Sequence, residues 1–179
     1  MTEDSNAGFE FFSHYFGEKG IRCISAEGKS NIVRLLQQEN YTTALIIADG
    51  AAFGSEIAMV LAIRKAREFM VYMPESFEWV ILKSDALNDK TVRDILADPS
   101  VHIASETYFS WERYFTSLLT EQSKGTYLQY SKRKLNANYL QSAIVEKIKD
   151  VMPEILENQE EKTKSSSGLR RNREKAQGR

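Results

Sequence analysis

The sequence predicts an α/β protein: a single three-layer domain in which a short parallel sheet of about four strands lies between helices. Three observations predict this fold. Residues 21–82 read in order as strand, helix, strand, helix, strand and helix. The run 41–48 (YTTALIIA) is almost continuously apolar and rich in β-branched residues, which is typical of a strand buried on both faces. The connections are short, which favours right-handed strand–helix–strand units and therefore a parallel sheet.

The strands are predicted from short apolar runs that end at turn signals. They cover residues 21–25, 41–48, 69–73 and 101–104. Helices are predicted where apolar residues recur every three to four positions, and Asp89 and Ser110 stand where N-cap residues are expected. These helices cover residues 29–39, 53–67, 76–83, 89–96, 111–121 and 138–155.

The N-terminal region divides into two parts. Residues 1–7 are polar and are predicted to be disordered. Five aromatic residues then follow within eight positions, at a spacing that suits one face of a short helix: Phe9, Phe11, Phe12, Tyr15 and Phe16. Aromatic side chains at helical spacing usually pack in a core, but so dense a group is also compatible with an interface for a protein partner.

Composition places the chain among globular proteins. It has 179 residues, of which 42% are hydrophobic and 27% charged. No apolar run approaches the roughly 20 residues of a membrane span, so no membrane association is expected. The first residues lack the basic and apolar regions of a signal peptide, and Cys23 is the only cysteine, so no internal disulfide is possible. We therefore expect a cytoplasmic protein.

The distribution of charge divides the chain into an acidic body and a basic tail. Residues 160–179 carry seven basic and three acidic side chains, whereas residues 1–159 carry 17 basic and 22 acidic ones. The sequence thus predicts a mildly acidic α/β domain over residues 1–157 and a disordered basic tail over residues 158–179.

Acidic residues follow the first three predicted strands. Glu27 follows the first strand, Asp49 the second, and Glu75 and Glu78 the third. The carboxyl ends of parallel strands meet at one edge of a sheet, where α/β folds bind ligands. Carboxylates that converge there would repel one another, and Mg²⁺ or Mn²⁺ would relieve the repulsion. The alternative is that each carboxylate is solvated and favours a helix start.

A short phosphate-loop-like pattern occurs at Gly28, Lys29 and Ser30. A true phosphate loop needs another glycine five residues before Gly28, and Cys23 stands there, so nucleotide hydrolysis is not expected. The helix N-terminus with Lys29 and Ser30 remains a candidate for weak anion binding.

The order of strand, Glu-Gly, helix, apolar strand and Asp-Gly over residues 21–82 resembles the Toprim domain, a Rossmann-like fold. Toprim domains occur in primases, in topoisomerases and in the nucleases that follow overcoming-lysogenization-defect ATPases. The resemblance implies a catalytic glutamate at Glu27 (AEGKSN) and a catalytic aspartate at Asp49 (IADGAAFG), which bind magnesium for phosphodiester chemistry. The second carboxylate of the family's Asp-x-Asp motif is Ala51 here, and Asn31 stands where an aspartate often follows the glutamate motif. Catalysis is therefore expected to be degenerate.

Two basic regions are candidates for nucleic-acid binding. Lys132, Arg133 and Lys134 lie beside Tyr127 and Tyr130, a combination that suits phosphate contacts and base stacking. The alternative is a solvated loop. In the tail, the candidates for phosphate contact are Arg170, Arg171 and Arg173.

Together these features predict a Toprim-like, divalent-metal-associated domain that binds or processes nucleic acid, with Mg-dependent nuclease-type activity if it is active. The alternative is a non-enzymatic interaction component of a bacterial complex, using the N-terminal aromatic segment and the helix that begins at Trp111.

Overall fold

The computed structural model describes residues 1–38, 41, 43–50, 58, 61–62, 68–103 and 110–153. Most of the helix predicted over 53–67, and the whole predicted tail 158–179, lie outside these residues. The described part is a mixed α/β structure, as the sequence predicts, and helices predominate in it. Within it, no helix has the length and apolar character needed to cross a membrane.

The sheet contains two parallel strands, β1 (Thr43–Ile47) and β2 (Glu68–Tyr72). Their register sets Ile46 opposite Val71 and Ile47 opposite Tyr72. Two of the four predicted strands are thereby confirmed, together with their parallel direction. The side chains of Ile46 and Ile47 enter two different apolar clusters, because successive residues of a strand point to opposite faces.

Residues 1–3 are ordered along the other edge of β1, so the prediction of a disordered N-terminus is wrong. Thr2 forms parallel bridges with both Ile47 and Ser25. Ile47 N–H donates to Met1 O at 2.9 Å, and Glu3 N–H donates to Ile47 O at 3.0 Å. A free strand edge offers unpaired backbone groups, and a polar segment can satisfy them whatever its side chains are.

Two other predicted strands are corrected. Residues 21–25 form no regular strand; within them only Ser25 is bridged, through Thr2. Over residues 101–103 the strand predicted for 101–104 is wrong, because Pro99–Val101 forms a 3-10 helix. Proline fixes φ near −65° and removes a backbone donor, which favours a helical first turn over a strand.

The first helix, α1, spans Ala7–Gly17, and Asn6 caps it by accepting a hydrogen bond from Gly8 N–H at 3.1 Å. Four of its five aromatic side chains are buried in the main apolar cluster, and they are Phe11, Phe12, Tyr15 and Phe16. For these four the core interpretation is confirmed. The same side chains are therefore not available as the partner interface that the sequence left open.

The other helices are α2 (Lys29–Gln38), α3 (Phe77–Lys83), α4 (Lys90–Ala97), α5 (Trp111–Ser123) and α6 (Ser142–Lys149). Asp89 and Ser110 cap α4 and α5, as predicted. The single helix predicted over 138–155 is wrong: a 3-10 turn, Ala137–Leu140, precedes α6. Gln141 lies between them with ψ 138°, an extended conformation that interrupts the helix.

Candidate functional site

A small cleft of about 30 Å³ lies at the carboxyl end of β1. Asp49 enters it two residues after the strand, and Glu78 enters it from the first turn of α3. Glu3 reaches it from the N-terminal segment, and Lys132 from the loop after α5. The chain turns closely after Asp49: Gly50 N–H donates to Pro74 O at 2.6 Å, and a Cβ at position 50 would lie 3.1 Å from that oxygen.

The Asp49 carboxyl group is in an environment that disfavours its charge. Burial raises its pKa to about 8, and the negative charges of Glu78, Glu112 and Glu3 act in the same direction. Lys132 lowers the pKa in part. Asp49 is therefore protonated at neutral pH, and in that state it can donate a hydrogen bond or a proton.

The pKa of the Glu3 carboxyl group lies close to neutral pH. Burial raises its pKa to about 7, with a further increase from the charge of Asp4. A hydrogen bond from the Asp49 backbone N–H and the charge of Lys29 offset part of this shift. Its Oε2 atom is buried without a hydrogen-bond partner among the described residues. A carboxyl group with these properties can take up or release a proton near pH 7.

Glu78 is 2% exposed, and its side chain has a specific hydrogen-bond partner. The Tyr130 hydroxyl donates to Glu78 Oε1 at 2.8 Å. Burial, followed by the charge of Glu78, raises the pKa of Tyr130, so the phenol keeps its proton and remains a donor. Glu78 also lies at the N-terminus of α3, where the helix dipole favours a negative charge.

Lys132 provides the positive charge of the cleft and forms an ion pair with Glu112, in the first turn of α5. Burial alone would lower the pKa of Lys132, but the hydrogen bond to Glu112 and the charges of Glu78 and Asp49 outweigh it, and the net shift is upward. The lysine therefore stays charged. Its backbone is also fixed, because Ala7 N–H donates to Lys132 O at 3.0 Å.

The four predicted metal ligands separate into two pairs. Asp49 and Glu78 share the cleft, whereas Glu27 and Glu75 are exposed and do not line it. Glu27 lies in a turn with φ 58°. The reason for its separation is the N-terminal segment: residues 1–3 lie between residues 24–26 and β1, so Glu3, rather than Glu27, is the carboxylate beside Asp49.

The other predicted site residues are distributed as follows. Lys29 begins α2, with its charge close enough to lower the pKa of Glu3, and Ser30 is exposed. Arg133 and Lys134 are exposed next to Lys132. Arg170, Arg171 and Arg173 lie outside the described residues.

Among the described residues, no group of three or more His, Cys, Asp or Glu side chains is arranged to hold a metal ion.

The sequence did not indicate two carboxylates of this site, Glu3 and Glu112. Glu3 belongs to a segment with no apolar pattern, and Glu112 follows a helix cap like many surface glutamates. No local signal distinguishes them, because Glu3 interacts with Asp49, 46 positions away, and Glu112 pairs with Lys132, 20 positions away. A larger cavity of about 190 Å³ borders Cys23, Thr43 and Leu45, and it contains none of the predicted site residues.

Comparison of the chain with protein-family models, with curated proteins and with solved structures finds no match in any of the three.

Proposed function

We propose that this chain is a Toprim-like domain that binds nucleic acid at the cleft beside Asp49, with phosphodiester hydrolysis as its reaction where activity is retained. One observation carries the proposal. Asp49 and Glu78, predicted as acidic site residues, share a cleft with Lys132, predicted to contact phosphate, although 83 positions separate Asp49 from Lys132. Acidic and basic groups in one cleft at a strand end suit the handling of a phosphodiester.

Each group of the cleft has a distinct role in this proposal. Lys132 stays charged and attracts a phosphate oxygen. Without a cation Asp49 is protonated up to about pH 8, and a bound cation would displace this proton, because a carboxyl group that holds a metal must be deprotonated. The leaving oxygen would then take its proton from water. Glu3, with a pKa of about 7, accepts the proton of an attacking water.

A divalent cation is part of the proposal. Mg²⁺ is commonly held by one or two carboxylates together with waters and substrate phosphates, so Asp49 and Glu78 are sufficient as its protein ligands. Their oxygen atoms are the hard donors that Mg²⁺ and Mn²⁺ prefer. When bound, the cation would supply charge compensation and orientation of the phosphodiester.

The layered fold of the Toprim type is also proposed. Its support is the order of backbone pairing: residues 24–26 pair with residues 1–3, residues 1–3 pair with β1, and β1 pairs with β2. All three pairings are parallel. The bridges of Thr2 to Ser25 and to Ile47 therefore support the proposed layering, in which the acidic cleft lies at the carboxyl end of β1.

A metal titration with matched variants tests the proposal. Because a ligand that binds only the folded state stabilises it, Mg²⁺ or Mn²⁺ should raise the melting temperature of the wild type. Asp49→Asn should lose this increase. Glu75→Gln, which removes an exposed carboxylate outside the cleft, should retain it. The three proteins are compared by thermal unfolding over a range of cation concentrations.

Equal stabilisation of all three proteins would contradict a metal at Asp49. A gel assay of DNA and RNA cleavage on the same samples then separates binding from catalysis. Cleavage by the wild type and by Glu75→Gln, but not by Asp49→Asn, would assign the hydrolytic activity to the cleft.

A further inference from the structure

Residues 127–135 form a segment with two different faces. Over residues 127–131 the side chains alternate: Leu128 and Tyr130 are buried, whereas Tyr127, Gln129 and Ser131 are exposed. Arg133 and Lys134 are both exposed, and Leu135 is buried. The inward face reaches the acidic cleft, where the Tyr130 hydroxyl donates a hydrogen bond to Glu78. The outward face carries the residues that the proposed site does not use.

Tyr127 is the most prominent group of the outward face. It is 62% exposed, and among the described residues no other aromatic side chain is classed as exposed. Aromatic side chains are normally buried, because removing their surface from water is favourable. A solvent-exposed ring is therefore a candidate contact surface. Substitution of the ring should not disturb the fold, since it contributes little to the core.

The backbone beneath Tyr127 is fixed by a set of hydrogen bonds. Its carbonyl accepts from the side-chain amides of Asn136 at 3.0 Å and of Asn138 at 2.6 Å. The next carbonyl, Leu128 O, accepts from the Tyr139 hydroxyl at 2.6 Å. Tyr130 N–H donates to Ser123 Oγ at 2.9 Å. The ring is thus presented from a preorganised backbone, which lowers the entropy cost of binding.

The charge around the ring is positive. Residues 124–138 contain four basic side chains and no acidic one. Arg133 and Lys134 are exposed, and the described residues provide no ion-pair partner for either. Lys134 lies two positions before Asn136, whose side-chain amide donates to Tyr127 O, so the backbone of the basic residues lies close to that of Tyr127.

We infer that the outward face of residues 127–135 binds single-stranded nucleic acid, with a base stacked on Tyr127 and the backbone phosphates on Arg133 and Lys134. An exposed ring flanked by cations matches the alternation of bases and phosphates in a single strand. A duplex keeps its base faces inside the stack and cannot offer one to Tyr127. The inference rests on the proposed function, because the same segment carries Lys132 into the cleft.

Binding of a labelled single strand of about 15 nucleotides and of the matching duplex, followed by fluorescence anisotropy, tests the inference. Tyr127→Ala should bind the single strand roughly five- to 150-fold more weakly, the range for loss of one stacked base, and should change duplex binding much less. Tyr127→Phe keeps the ring and should bind like the wild type. Lys90→Ala, which removes an exposed charge on α4, is the matched control and should also bind like the wild type.

Salt dependence tests the phosphate contacts separately. The double variant Arg133→Ala/Lys134→Ala should reduce the slope of log affinity against log salt by about 1.4, because each phosphate contact to a single strand contributes about 0.7. An unchanged slope would overturn the assignment of these two residues.

The results of these binding experiments distinguish a failure of the inference from a failure of the proposed function on which it rests. If the wild type binds single strands and Tyr127→Ala binds them equally well, the inference is overturned and the proposed function stands. The same conclusion follows if the Tyr127→Ala substitution weakens binding of the single strand and of the duplex to the same extent. If the wild type binds no nucleic acid even at low salt, both are overturned.

Discussion

At the scale of single residues, the unusual feature is a carboxyl group that stays neutral at neutral pH. Asp49 has a raised pKa because it is buried and because three other carboxylates lie near it. Lys132 compensates only part of this negative charge. A buried group whose charge is disfavoured costs stability when it ionises, and such groups are common at functional sites.

The first prediction concerns the pH dependence of stability. The pKa of Asp49 is raised from 3.8 to about 8, so between these values the folded state holds a proton that the unfolded state has lost. The free energy of unfolding should therefore fall as pH rises from about 4 to about 8. Glu3 acts in the same direction up to about pH 7. Asp49→Asn cannot ionise and should show a shallower decline.

Thermal unfolding of the wild type and the variant between about pH 5 and pH 8 measures this difference. Glu75→Gln, at an exposed position, is the control and should follow the wild type. Parallel curves for wild type and Asp49→Asn would show that Asp49 does not keep its proton in the folded state.

At the scale of elements, β1 holds the site in place, but its burial is uneven. Thr43 is exposed, Leu45 is half-buried, and Ile46 and Ile47 are buried. The sequence predicts a strand that is buried throughout, and this is wrong for its first half. The buried half is the end nearest Asp49, where Ile46 packs with α2 and Ile47 with the cluster that contains α1.

The second prediction follows from this difference in burial along β1. Ile46 is 0% exposed, and Ile46→Ala should lower the free energy of unfolding by about 2 to 5 kcal/mol, the range for large-to-small changes in a core. Leu45→Ala removes a similar volume from a half-buried position and should cost less. Urea unfolding of both variants is the measurement. A larger loss for Leu45→Ala would mean that the buried end of β1 is misassigned.

At the scale of the whole molecule, charge is divided between body and tail. Residues 1–159 carry an excess of five negative charges, and residues 160–179 an excess of four positive ones. An acidic body repels nucleic acid at long range, so the proposed nucleic-acid binding depends on local positive regions such as the loop around Lys132 and the tail.

The third prediction concerns that tail. Deletion of residues 160–179 should weaken nucleic-acid binding and flatten its salt dependence, because fewer counterions are released. The deletion leaves every described residue in place, so the melting temperature should not change. Affinity measured over a salt series is the test. An unchanged salt slope would show that the tail does not contact phosphate.

The sequence by itself determined the α/β class, the two parallel strands, the helices capped by Asp89 and Ser110, and the meeting of Asp49 and Glu78 in one cleft. These features depend on local patterns: apolar periodicity, capping residues and acidic residues at strand ends. Only the tertiary structure decided which carboxylate lies beside Asp49. Residues 1–3 occupy the position next to β1, and Glu3 replaces Glu27 there. Backbone pairing of a polar segment leaves no side-chain signal, because N–H and C=O groups pair regardless of sequence.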